Sequence, residues 1–214
     1  MDIRVINVIG AGSLGSFTAF LLSKMSHVFN CPIKVMDFDV VEEHNVENQL
    51  YKENHVGLPK IEALRQIIEN ICDAHIVVEN KKVDKNIDLR GIVVVLVDKM
   101  SVRNEIFESC RFNAGIDYLI EARTGEDNAQ VYAFDPKDPD WCKKYKLFLY
   151  EDLEAQAPPC ANPQTIPTLW AVASVIAKLI VRFKSQEVFT NEFFIARIGF
   201  KDWPSIDSTV SEEI

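Results

Sequence analysis

No two of the five cysteines, at positions 31, 72, 110, 142 and 160, form a Cys-x-x-Cys pair. The odd count and wide spacing exclude a disulfide framework and a four-thiolate zinc site as readings, and a reducing cytoplasm is the expected compartment. Positive charge is also short: 23 Lys and Arg stand against 32 Asp and Glu, a formal charge of −9. Such a chain repels phosphate backbones, which argues against a nucleic-acid partner. No run of about 18 apolar residues occurs. The greasiest segment, residues 169–183, is interrupted by Lys178 and Arg182 and reads as a buried helix, so no membrane span is expected. The N-terminus lacks a signal-peptide pattern. The four histidines are scattered, with no ligand pair at helical spacing. What remains, 48% apolar and 26% charged residues, is an ordinary globular balance that excludes a disordered or collagen-like chain. Glycine is scarce, at eight residues, yet three of the eight fall between positions 10 and 15.

Residues 3–9 form a β-branched run that ends in Gly10-Ala11-Gly12-Ser13-Leu14-Gly15. A helical pattern covers residues 16–26, and a short strand at 33–36 ends at Asp37-Phe38-Asp39. Strand, helix and strand make a βαβ unit. Ile61, Leu64, Ile67, Ile68 and Ile71 recur at helical spacing. Residues 75–83 read as a third strand. The unbroken apolar run at 91–97 predicts a central parallel strand covered on both faces, ending at Asp98. A helix over 101–114, strands over 118–121 and 130–134 (the latter antiparallel) and a late edge strand over 192–199 follow. Between them lie a crossover loop over about 135–167, with a short helix around 144–149, and a buried helix opened by Pro167. The expectation is one α/β domain over residues 1–201, with a tail over 202–214. It is Rossmann-like and doubly wound, with a mostly parallel sheet and helices on both faces. Ligands of such sheets sit beyond the carboxyl ends of the strands. Here those ends carry residues 10–15, Asp37, Asp39, Asp98 and residues 121–123.

Gly10, Gly12 and Gly15 let backbone turn tightly and approach a phosphate, with Ser13 and Leu14 opening the helix whose N–H groups point at it. Asp37, 22 residues beyond Gly15, is placed to accept ribose hydroxyls. These features predict a nucleotide without choosing among NAD, FAD and ATP.

Two longer stretches choose. The segment from Met36 to Tyr51, MDFDVVEEHNVENQLY, and Gly57-Leu-Pro-Lys-Ile-Glu-Ala-Leu64 resemble the ThiF/MoeB/HesA family of E1-like activating enzymes. Asp98 followed by Val102-Arg103-Asn104 is similar to a further motif of that family. The resemblance implies ATP and Mg²⁺, and adenylation of the C-terminal carboxylate of a ubiquitin-like or sulfur-carrier protein or peptide, with release of pyrophosphate. It implies Asp37 at the ribose and Asp39 beside it. It also implies Lys60 on the triphosphate, Asn45 and Gln49 lining the phosphate site, and Asp98 as the acid that holds magnesium. It further implies a homodimer.

The chain departs from the family at Asn48, where an arginine usually faces the triphosphate. Lys99, Arg103 and Arg123 are the candidates to replace that charge, Arg123 first because it follows the fifth strand on the ligand side. Cys160 lies in the crossover loop, which in several relatives carries a thioester- or persulfide-forming cysteine, against the alternative of a small packing residue at the helix entrance; Cys142 is the second candidate. Structural zinc is not expected. A degenerate nucleotide-binding interaction module is the alternative, with Asn48 as its best support, although short, divergent family members carry a similar stretch. An NAD(P)-dependent oxidoreductase would need a substrate domain for which 214 residues leave no room. Adenylation of a small-molecule carboxylate is a further alternative.

Overall fold

The computed structural model describes residues 3–84, 86–150, 162–185, 192–199 and 205–211. Eight strands form one sheet in the order β3-β2-β1-β4-β5-β6-β7-β8. Five of them, β1 (Ile6–Ile9), β2 (Ile33–Asp37), β3 (Val77–Asn80), β4 (Gly91–Val95) and β5 (Ile116–Thr124), run parallel. The last three, β6 (Asn128–Phe134), β7 (Phe193–Gly199) and β8 (Ser205–Ser211), add antiparallel.

Alternation of side chains across the sheet explains why β4 is apolar throughout. Ile92 and Val94 enter one core and Val93 and Val95 the other. The first core is closed by α1 (Ser13–Lys24), α3 (Lys60–Cys72) and α6 (Ile166–Lys184), and the second by α4 (Met100–Cys110) and α5 (Pro139–Lys146). A short α2 (Ser26–Phe29) follows α1. The fold is thus the expected doubly wound α/β domain. Residues 163–184 are long and apolar enough to cross a membrane, but half of that window is buried inside the fold. Its buried side chains, from Thr168 to Phe183, lie at helical spacing.

Three boundaries differ from the sequence reading. The helix expected around 144–149 begins at Pro139, because Asp138 caps it: its carboxylate accepts the Asp140 and Trp141 N–H groups at 2.8 and 3.1 Å. The strand expected at the edge, β7, is interior. Phe193 and Ile195 fill one core while Phe194, Ala196 and Ile198 fill the other. The edge is taken by β8, in the stretch expected as a tail. Ile206 and Val210 are its only apolar residues, with Ser208 between them, and residues 205–209 are all exposed, so its apolar alternation is too sparse to read. A polar, charged outer strand suits an unpaired sheet edge.

The order of strand addition reverses between the parallel neighbours β1 and β4: β2 and β3 lie to one side of this point, β5 onward to the other. The crevice at such a switch point is the ligand position of this architecture. The glycine loop leaves β1 there and Asp98 follows β4 there.

Candidate active site

The glycine loop is held by steric need. Gly10 has φ +99°, and a Cβ on it would lie 2.7 Å from the Leu96 carbonyl oxygen beside the end of β4. A Cβ on Gly15 would lie 2.0 Å from the Gly10 carbonyl oxygen, so α1 packs directly on its own loop. Gly12 is the N-cap of α1, and the first intrahelical bond runs from Ser16 N–H to the Gly12 carbonyl at 2.9 Å. The amides before it are the unpaired N–H groups of a helix start. No acid occupies the first turn of α1, which leaves its positive end to an incoming anion.

Asp37 ends β2 and reaches back to this loop. One carboxylate oxygen accepts the Ala11 N–H at 2.6 Å and the other accepts the Asp39 N–H at 2.8 Å. Lys60 opens α3 and is buried; its ammonium pairs with Asp39 at 3.2 Å. Asn48 is 4% exposed, and its side-chain oxygen accepts the Ser13 hydroxyl at 3.3 Å. Gln49 follows, with a buried side-chain oxygen that has no partner among the described residues. Thus the structure joins residues 10–15, Asp37, Asp39, Asn48 and Lys60 through direct contacts.

Three expected residues stand differently. The Asn45 side-chain oxygen accepts the Glu42 N–H at 2.9 Å, a bond that shapes its own turn. Asp98 is exposed; its Oδ1 accepts the Lys99 N–H at 2.8 Å ahead of α4. Arg123 is committed elsewhere. Its Nε donates to both Glu121 oxygens at 3.1 and 2.9 Å, its Nη1 donates to the Phe148 carbonyl at 2.6 Å, and the Tyr132 ring lies 5.0 Å away.

Glu121, expected as a pocket acid, is 0% exposed on the α4–α5 side. It also pairs with Arg103 and accepts the Tyr145 hydroxyl at 3.2 Å. Burial lowers the Arg103 pKa to about 10, which leaves it cationic at neutral pH. Neither arginine is therefore an open replacement for the charge missing at Asn48. Cys160 lies outside the described residues. Cys142 is buried, its thiol donates to the Pro136 carbonyl at 3.1 Å, and burial raises its pKa to about 11. A thiol this basic is a packing group rather than a nucleophile.

One residue of the site carried no role in the sequence reading. Tyr51 is buried, and its hydroxyl donates to the Ala11 carbonyl at 2.6 Å. Burial, then the charges of Asp37 and Asp39, hold its pKa well above the usual value, so it remains a donor. A signal existed: it is the single Phe, Tyr or Trp between Phe38 and Phe107.

Among the described residues no cluster of three or more His, Cys, Asp or Glu side chains could hold a metal ion. Magnesium delivered on a nucleotide needs less, since phosphates and water complete its shell around one or two carboxylates. Asp98, exposed just beyond β4, fits that requirement.

The ThiF family model matches residues 3–210 of the chain. No curated protein sequence matches it. Among solved structures, E. coli MccB with AMPCPP and MccA is similar at TM-score 0.72 and 18% identity, over 100% of this chain and 65% of that one. E. coli MccB with ATP gives TM-score 0.69 and 17% identity over 100% and 64%. PaaA gives TM-score 0.69 and 16% identity over 98% and 64%. The chain thus spans just under two thirds of the length of these proteins, and the likeness is one of fold.

Proposed function

The chain belongs to the ThiF family, and from that premise we propose that it is an ATP-dependent adenylyltransferase acting on the carboxylate terminus of a peptide or small carrier protein. The observation that carries this reading is the contact set joining the glycine loop to Asp37, Asn48 and Lys60 at the switch point. That set offers a ribose acceptor, a phosphate-facing helix start and a buried lysine in one crevice. The MccB structures contain ATP or AMPCPP and the MccA partner, which supports a nucleotide and a peptide as the two ligands.

In the proposed reaction a carboxylate oxygen attacks the α-phosphorus of ATP. The bond to the bridging oxygen breaks, and pyrophosphate leaves with the electron pair. Carboxylate and triphosphate repel, so positive charge must be supplied around them. The α1 N-terminus supplies part, and Lys60 supplies more once a phosphate competes with Asp39 for its ammonium. Magnesium carried on the triphosphate would neutralise the rest, and Asp98 is the residue that would hold it. Asn48 leaves the site neutral where relatives place an arginine. The family's homodimer and its cytoplasmic setting belong to the same proposal.

Calorimetric titration with ATP–Mg²⁺ and, separately, NAD⁺ and NADH tests the reading. Binding of ATP alone is expected. Binding of a nicotinamide cofactor alone would replace it with the oxidoreductase. ATP binding with no pyrophosphate release toward any carboxylate partner would favour the interaction module, for which Asn48 is the supporting observation. Lys60→Ala is expected to weaken ATP–Mg²⁺ binding about tenfold, the scale of one charge-assisted contact. Unchanged affinity would move the triphosphate away from α3.

A further inference from the structure

The segment that follows the Asp37 loop returns to the glycine loop and grips it at three points. The Asn48 side chain meets the Ser13 hydroxyl at 3.3 Å, the Leu50 N–H donates to the Ser16 hydroxyl oxygen at 3.4 Å, and the Tyr51 hydroxyl donates to the Ala11 carbonyl at 2.6 Å. The third grip differs from the others. Ala11 offers the loop one peptide N–H and one carbonyl, and both are taken: the N–H by Asp37 at 2.6 Å, the carbonyl by Tyr51. A residue fixed at both polar atoms cannot rotate without breaking a buried bond, which costs about 1–3 kcal/mol. The Asp37 carboxylate is held in turn, because the Ala11 N–H is one of its two backbone donors.

We propose that Tyr51 is a positioning residue for the nucleotide: its hydroxyl fixes the Ala11 peptide, and through it the Asp37 carboxylate, in the orientation that receives ribose and phosphates. The assignment rests on the nucleotide reading given above and adds to it a residue outside the crevice's expected ligand set. Without the hydroxyl, Ala11 would be free to turn its carbonyl toward solvent. Ala11 would then be held through its N–H alone, and the donor that aims the Asp37 oxygen would loosen.

Tyr51→Phe keeps the ring and removes only this bond. Two titrations read the effect: ATP–Mg²⁺, and 2′,3′-dideoxy-ATP–Mg²⁺, which lacks the hydroxyls that Asp37 would accept. The variant is expected to bind ATP–Mg²⁺ about five- to tenfold more weakly. The parent's preference for ATP over the dideoxy analogue is expected to shrink by at least about half of that factor. A hydroxyl with a merely structural role would lower the melting temperature and leave the preference between the two nucleotides intact; that result, or unchanged affinity, overturns the assignment. If the parent itself binds neither nucleotide, the reading of the crevice fails and the assignment falls with it. Hydrogen exchange on the parent protein gives a second route should the variant fold poorly. ATP–Mg²⁺ is expected to protect residues 10–16 and 48–51 together, and protection of the glycine loop alone would show that the two segments are not coupled.

Discussion

Asp98→Ala is expected to lower pyrophosphate release by at least about a thousandfold, the scale of removing a charge-stabilising group from a reacting phosphate. The fold should hardly notice. Asp98 is exposed, and its Oδ1 accepts the neighbouring Lys99 N–H ahead of α4. Losing an acid at a helix start costs about 1 kcal/mol, a shift of a few degrees in melting temperature. The two readouts therefore separate. Release of pyrophosphate with a supporting carboxylate partner should vanish while the thermal transition stays. ATP affinity should fall far less than turnover, since the carboxylate matters most as charge moves onto the departing pyrophosphate. Full activity in the variant would show that magnesium is held elsewhere.

How much of this was legible follows from what each residue answers to. The glycine loop and the strand-end acids answer to backbone: tight turns need glycine, and a parallel strand must end at the ligand edge. Sequence order is enough to place Gly10, Gly15, Asp37 and Asp98 around one crevice. The course of the parallel sheet was legible for the same reason, since doubly covered strands such as β4 must be apolar throughout. Arg123 answers to something else. Its position at the end of β5 was readable, but its direction depends on Glu121, Phe148 and Tyr132, which are brought together only by the tertiary fold. Tyr51 shows the reverse case. Its isolation from other aromatics was in plain view, but its use is a single hydroxyl bond to a loop 40 residues earlier, which no periodicity encodes. The outer strand β8 escaped because a mostly polar edge strand, apolar at Ile206 and Val210 alone, carries little of the alternation that marks strands.

The buried cluster behind the site leads to the largest stability effect. Glu121→Ala is expected to destabilise the protein by about 3–5 kcal/mol, because it leaves two guanidinium groups in the core without their shared carboxylate. Arg103 is 7% exposed, and its second anchor, the Ala122 carbonyl at 2.8 Å, carries only a dipole. Arg123 would keep the Phe148 carbonyl and the Tyr132 ring, and the Tyr145 hydroxyl would lose its acceptor. A denaturant titration should show a lower midpoint with an unchanged slope if only stability is lost. The control that isolates the cause is Arg103→Met, Glu121→Leu and Arg123→Met together. Replacing a whole buried ion cluster with apolar groups of similar size is often neutral or stabilising, whereas removing its anion alone is not. The triple variant should therefore melt higher than Glu121→Ala. If the two melt alike, the cluster contributes by shape rather than by charge. α4 carries Arg103 just beyond Asp98, so the same pair of variants reports on the site. Pyrophosphate release retained by the triple variant would mean that the cluster anchors the helix without tuning its acid. Release lost in a protein that melts normally would mean that the ionic pairing sets where Asp98 stands.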